Sequence, residues 1–160
     1  LEAIKIAKKM KINNFALSFT NSPKDILFFN KILSKERKII KIETKKAVKN
    51  IEKILKHCDE ILIDRGDLSK EINIIEVPKA QRKIQKIANK KDKKVYIATN
   101  LLESMVSKPY PTRAEINDIY NCLELGADGL VLAAETAVGK WPLECIKIMS
   151  DVIKSYSKAI

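Results

Sequence analysis

The sequence predicts an α/β fold of parallel β/α units, and three observations carry the prediction. Short apolar runs alternate with segments of helical period, and the alternation occurs five times from one end of the chain to the other. Hydrophobic residues make up 46% of the chain, enough for a packed core, and with 4 Gly and 5 Pro it is neither disordered nor linker-like. At 160 residues it fits one domain, whereas a complete β/α barrel takes roughly 250 residues. Alternation at this pitch implies a parallel sheet with right-handed crossovers. The pattern fits an open doubly wound sheet and a sector of a barrel equally. In both, the chemistry is expected just after the strands, at their C-terminal ends.

Residues 1–11 read as a helix and 14–20 as the first strand. Ser22 supplies an N-cap and Pro23 a helix-compatible start for a helix over 25–33. The second strand is 38–43, followed by a helix over 45–55 whose Val48, Ile51, Ile54 and Leu55 have the spacing of one buried stripe. The third strand is 60–64, with Arg65, Gly66 and Asp67 as its exit loop. Residues 78–90 read as a helix with Ile84, Ile87 and Ala88 inward, 94–99 as the fourth strand, and 100–111 as a longer loop. Thr112 and Glu115 have the spacing of a capping box, so a helix starts there and runs to about Leu125, with Gly126 as its stop. The fifth strand is 129–132, and Pro142 opens a last helix whose Ile146, Met149, Val152, Ile153 and Tyr156 form the core-facing stripe.

A net charge of +11 invites a nucleic-acid reading, but the lysines are interleaved with Glu and Asp along nearly every predicted helix. No zinc-knuckle, helix-turn-helix or basic-aromatic pattern accompanies them, so the expectation is a solvated surface without a polynucleotide partner. Such a field still helps attract a phosphorylated anion. Cys58, Cys122 and Cys145 are an odd set with no C-x-x-C spacing, which argues against a disulfide framework or zinc site and for a reducing compartment, the cytoplasm. No apolar stretch reaches membrane-spanning length and no signal-peptide pattern is present, so no membrane partner is expected. The first residue is Leu1 rather than Met, which raises the expectation of a longer parent polypeptide.

The positions just after the strands are polar on four successive units: Lys41 with Glu43, then Arg65, Gly66 and Asp67, then Thr99 with Glu103, then Glu135 and Thr136. Lys41 and Glu43 are two apart on a strand and share a face, either as a structural ion pair or as an ammonium and a carboxylate at a site. Asp67 is either a turn or cap residue or a partner of Glu43 in a two-carboxylate Mg²⁺ set. Gly66 permits a tight turn or close backbone approach to a ligand. The Thr99 hydroxyl can cap the next segment or bond a carboxylate or enolate oxygen. Arg113, after the long loop, reads as half of a loop-fixing ion pair, and His57 as a surface helix-end residue.

The run Ile97-Ala98-Thr99-Asn100-Leu101-Leu102-Glu103-Ser104-Met105, with Lys108-Pro109-Tyr110-Pro111-Thr112-Arg113-Ala114-Glu115, closely resembles the pyruvate kinase segment ATQMLESM followed by KPxPTRAE. Lys41-Ile42-Glu43 resembles that family's KIE motif and Arg65-Gly66-Asp67-Leu68 its ARGDLG motif. Glu135-Thr136-Ala137, Gly139 and Pro142-Leu143-Glu144 resemble SGETAxGxYPLE. The resemblance spans essentially the whole chain. It implies a five-stranded partial TIM barrel, the C-terminal half of a pyruvate-kinase-like barrel, as a single partial domain over 1–160 without the lid and C-terminal regulatory domains. It further implies a glycolytic phosphotransferase acting between phosphoenolpyruvate and ADP to give pyruvate and ATP. Glu43 and Asp67 would bind Mg²⁺ or Mn²⁺, Lys41 would stabilise the transferring phosphoryl group, and Thr99 would contact substrate carboxylate or help enolate protonation. Backbone amides near Arg65 and Gly66 would line the pyruvate pocket.

The family's K⁺ ligands and nucleotide phosphate residues belong to barrel strands outside this sequence, so ADP/ATP binding and turnover are expected only with that missing half. Two further readings compete. One is a non-catalytic binding or assembly module, with the sheet edges covered by a second copy or a partner. The other is a Mg²⁺-dependent pyruvate aldolase, which would lack the long loop motif. Ala133 and Ala134 replace the family's Ser-Gly, and Asp64 replaces the alanine before RGD, adding negative charge that either tightens metal binding or disturbs the pocket's charge balance for an anionic substrate.

Overall fold

The computed structural model describes residues 2–159; Leu1, part of the first predicted helix, lies outside the described residues. Five strands form one sheet in the order β1 (Asn14–Leu17), β2 (Arg37–Ile42), β3 (Glu60–Asp64), β4 (Lys94–Ala98) and β5 (Gly129–Val131). Every pairing is parallel and joins strands adjacent in sequence. Between and around them run α1 (Glu2–Lys9), α2 (Pro23–Ile32), α3 (Lys45–Ile54), α4 (Arg65–Glu71), α5 (Val77–Asn89), α6 (Arg113–Glu124), α7 (Ala134–Ala137) and α8 (Pro142–Ala159). The strand order never reverses, as it must in a doubly wound sheet. This is therefore a barrel sector, open at β1 and β5.

The pleat divides the strand residues between two faces. On one, Leu17, Ile40, Ile61 and Val95 lie in register, with Ile42, Ile63 and Ile97 in the next row, and all join one core with Ile26, Ile51, Ile54, Ile84 and Ala88 from the helices. The opposite face carries polar groups at both ends. Near the strand starts, Arg37 forms a forked pair with Glu60 at 2.6 and 2.5 Å and donates to the Tyr96 hydroxyl. Lys41, level with Leu62, and Asp64, beyond it, lie toward the other end of that face. A one-residue register slip would exchange the two sets, so the apolar rows fix where the charges sit.

Local signals set the boundaries. The Asp25 carboxylate accepts from the Ser22 amide at 2.8 Å, and the Thr44 hydroxyl accepts from the Ala47 amide at 3.0 Å, starting α2 and α3. The expected box at Thr112 forms, with Glu115 accepting from the Thr112 amide and the Thr112 hydroxyl accepting in return. Gly126 ends α6 at φ 78°, where a Cβ would approach Asn89 Nδ2 to 2.3 Å while that amide donates to the Leu125 carbonyl. Gly126→Ala is accordingly expected to destabilise the fold by about 1–2 kcal/mol, from left-handed backbone strain and the displaced amide. Thermal denaturation that returns an unchanged midpoint would contradict this.

The structure corrects several expectations. Residues 65–67 are the first turn of α4, not a loop. β1 stops three residues early because Phe19 turns left-handed, at φ 53°. The long loop contains a 3-10 turn over Glu103–Val106, and a second, Ile74–Glu76, precedes α5. On α8, Met149 and Val152 are buried, but Ile146 is 54% and Ile153 37% exposed. These two line an apolar groove of about 650 Å³ with Leu130 and Leu132, beside the unpaired edge of β5. Buried Gln81 and Gln85 tie α5 to α6, the latter donating to the Cys122 carbonyl. All three cysteines are free and buried, and burial pushes the Cys58 thiol up to about 12. Among the described residues no helix is long and apolar enough to cross a membrane.

Candidate metal centre

At the end of β2, alternation puts Lys41 and Glu43 on the same face. Glu43 is completely buried; its Oε1 accepts from the Phe19 amide at 2.5 Å. Its Oε2 lies 2.9 Å from Lys41 Nζ but off the hydrogen-bonding direction, and it is left without a hydrogen-bond partner. Lys41 Nζ is also 3.0 Å from Asp64 Oδ2. Burial works to lower the lysine pKa, but the Glu43 and Asp64 carboxylates outweigh it and the net shift is upward, so the ammonium stays charged.

Asp64 ends β3 and caps α4, its Oδ1 accepting from the Asp67 amide at 3.4 Å. The cap turns the chain directly from strand into helix and brings the Asp67 carboxylate back over the strand end. Oxygens of Glu43, Asp64 and Asp67 all lie within 4.8 Å of one another. Asp67 is the outermost of the three and also pairs with Lys70 at 2.9 Å, which holds its carboxyl below the usual range.

Beyond β4, Thr99 and Asn100 both adopt left-handed backbone, at φ 70° and 55°. For a β-branched residue this is costly, on the order of 1–3 kcal/mol, and persists only when surrounding contacts impose it. Here they do. The Arg65 guanidinium grips the Thr99 carbonyl through two nitrogens at 3.0 and 2.6 Å, itself anchored on Asp118 at 2.6 Å. The Gly66 amide donates to Thr99 Oγ1 at 2.7 Å, and a Cβ on Gly66 would come within 3.3 Å of that oxygen. The side chain of Arg65 is thus a brace for Thr99, and the Gly66 amide is engaged by the threonine hydroxyl.

Glu135 follows β5 and is 1% exposed, accepting from the Leu102 amide at 3.0 Å and the Ala133 amide at 2.7 Å. It staples the loop after β4 to the loop after β5. Glu115 does similar work for the same loop, accepting from the Ser104 amide and hydroxyl at 2.7 and 2.6 Å. Burial opposes the charge on Glu115, but these bonds win and its pKa is lowered. Arg113, expected to fix this loop through an ion pair, is exposed and makes none among the described residues. A recess of about 190 Å³ lies between Gly66, Thr99, Glu103, Ala133 and Glu135.

The model of the pyruvate kinase barrel domain matches residues 1–146. The chain belongs to the pyruvate kinase family. It is 47% identical to a pyruvate kinase of Thermotoga maritima over 99% of this chain and 35% of that protein. A pyruvate kinase of Methanocaldococcus jannaschii is 39% identical over 96% of the chain and 35% of its own length. One from Mycobacterium tuberculosis is 36% identical, covering 96% and 33% respectively. The chain thus spans about a third of the length of these pyruvate kinases.

Proposed function

We propose that this chain carries the metal and phosphoryl side of a pyruvate kinase site, with Glu43 and Asp67 holding Mg²⁺ or Mn²⁺ between them. The observation that carries this reading is Glu43 Oε2, a fully buried carboxylate oxygen lacking a hydrogen-bond partner and aimed into a cluster of acidic oxygens. The Lys41 ammonium stands 2.9 Å from that oxygen without hydrogen-bond geometry, so its lone pairs are left for a ligand. Two carboxylates with room for waters suit Mg²⁺. The ion when bound would neutralise phosphoryl and enolate charge.

The chain's own residues do the positioning that phosphoryl transfer mainly demands. Lys41, held charged between two carboxylates, presents its ammonium to the transferring group. Thr99, forced into its backbone state by Arg65 and Gly66, places a hydroxyl near the substrate carboxylate or enolate. The substrates would be phosphoenolpyruvate and ADP, giving pyruvate and ATP. The nucleotide and K⁺ contacts would come from polypeptide outside these residues, so the 160-residue chain alone is not expected to turn over. The open edges at β1 and β5 favour association with that polypeptide or with a second copy. Calorimetry with oxalate, an enolpyruvate mimic, tests the reading: oxalate is expected to bind only with Mg²⁺ or Mn²⁺ present, and metal-independent binding would overturn it.

A further inference from the structure

We infer that Asp64 acts on the bound cation as a third carboxylate, setting how tightly the site takes a divalent ion and how it then receives an anion. The inference rests on the metal reading above and concerns the residue at which the sequence departs from its family's motif. Asp64 is 8% exposed, and an oxygen of it lies within 4.8 Å of oxygens of both Glu43 and Asp67. Its Oδ2 faces Lys41 Nζ at 3.0 Å, while Oδ1 is shared weakly between the Asp67 amide and the Thr99 hydroxyl, both at 3.4 Å. Neither Oδ1 contact is short enough to engage that oxygen fully. The adjoining Glu43 Oε2 is wholly buried and makes no hydrogen bond, the Lys41 ammonium at 2.9 Å being its counter-charge, which leaves its lone pairs for a ligand.

Charge balance gives the role its sign. Glu43, Asp64 and Asp67 set three negative charges against the inner ammonium of Lys41 and the solvent-exposed ammonium of Lys70, which water screens, so one divalent ion brings the group close to neutral. Without the Asp64 charge, the same ion would leave the site with an excess positive charge. The two consequences run in opposite directions: the cation binds more weakly, and a dianion binds the loaded site more tightly. At carboxylate-to-ion distances even water-like screening makes each effect roughly tenfold.

Asp64→Asn separates this role from a structural one, because Asn caps a helix about as well as Asp and keeps an acceptor for the Asp67 amide. Mn²⁺ binding to the chain would be followed by electron paramagnetic resonance, and oxalate binding to the Mn²⁺-saturated protein by calorimetry. The expected result is Mn²⁺ affinity reduced by about tenfold and oxalate affinity raised by a similar factor. A Glu43→Gln control distinguishes the failures. If Glu43→Gln loses Mn²⁺ while Asp64→Asn binds it like the unaltered chain, the Asp64 role is wrong and the metal site stands. If neither change moves Mn²⁺ affinity, the metal reading fails and takes this one with it. Oxalate affinity that falls in Asp64→Asn also overturns the charge-balance role.

Discussion

Glu43→Gln is expected to abolish metal-dependent oxalate binding, a loss of at least about a hundredfold, while leaving the chain folded. The substitution keeps the shape of the side chain and an oxygen able to accept from the Phe19 amide, so the end of β1 stays docked on β2. What disappears is the charge. The cation then faces a neutral amide where its most buried ligand stood, and in a desolvated position that difference is large. Lys41 keeps Asp64 as a partner at 3.0 Å, so no ammonium is orphaned, but the new amide nitrogen faces that ammonium in a buried position and stability should fall by about 1–3 kcal/mol. Calorimetry of oxalate with saturating Mn²⁺, paired with a urea denaturation, checks both halves. A Gln variant that binds oxalate within about threefold of the original would remove Glu43 from the metal.

The largest stability effect is expected at Glu135. Glu135→Ala removes a carboxylate that accepts from two backbone amides on different loops, Leu102 and Ala133. Each amide left unpaired inside the protein costs about 1–3 kcal/mol, so the variant should lose roughly 3–5 kcal/mol, a large part of a domain's total stability. Glu135→Gln should fall between, since its one carbonyl oxygen can serve only one amide well. Because the staple also fixes the loop that follows Thr99, the alanine variant should bind oxalate poorly at temperatures where it is still folded. Equal urea midpoints for the Ala variant and the original chain would show that solvent satisfies these amides.

Much of this architecture was legible because it depends on local rules. Apolar runs between segments of helical period place all five strands, and the starts at Ser22 and Thr112 act over a single turn, through the Asp25 carboxylate at the first and the threonine hydroxyl at the second. Strand ends were read too long where the backbone turns left-handed at Phe19 and Thr99, since nothing in a Phe or Thr announces that conformation. The helical start at Arg65 is hidden in the sequence because Gly66 has the character of a turn residue, and the preceding Asp64 supplies only a long cap, at 3.4 Å, to the Asp67 amide. Periodicity placed Ile146 and Ile153 on a core stripe; it reports which residues share a side of a helix, not whether a neighbour stands opposite. Glu135 appeared among the polar strand-end residues, but its partners lie on separate loops, so its stapling role could not be read from spacing. The convergence of Asp64 with Glu43 and Asp67 likewise required the fold.

The consecutive strand order makes the sheet a one-dimensional stack, in which each ribbon bonds laterally only to the ribbons beside it. Amide exchange should therefore be slowest at the centre and quicken outward, as in repeat arrays that fray from their ends. The acidic trio and its lysine are mounted on the second and third ribbons and the helix that continues the third. The β5 edge can open and reclose without touching the ligand set, whereas opening at β1 releases the Phe19 amide from Glu43, so the two margins of the sheet are unequal in what they put at risk.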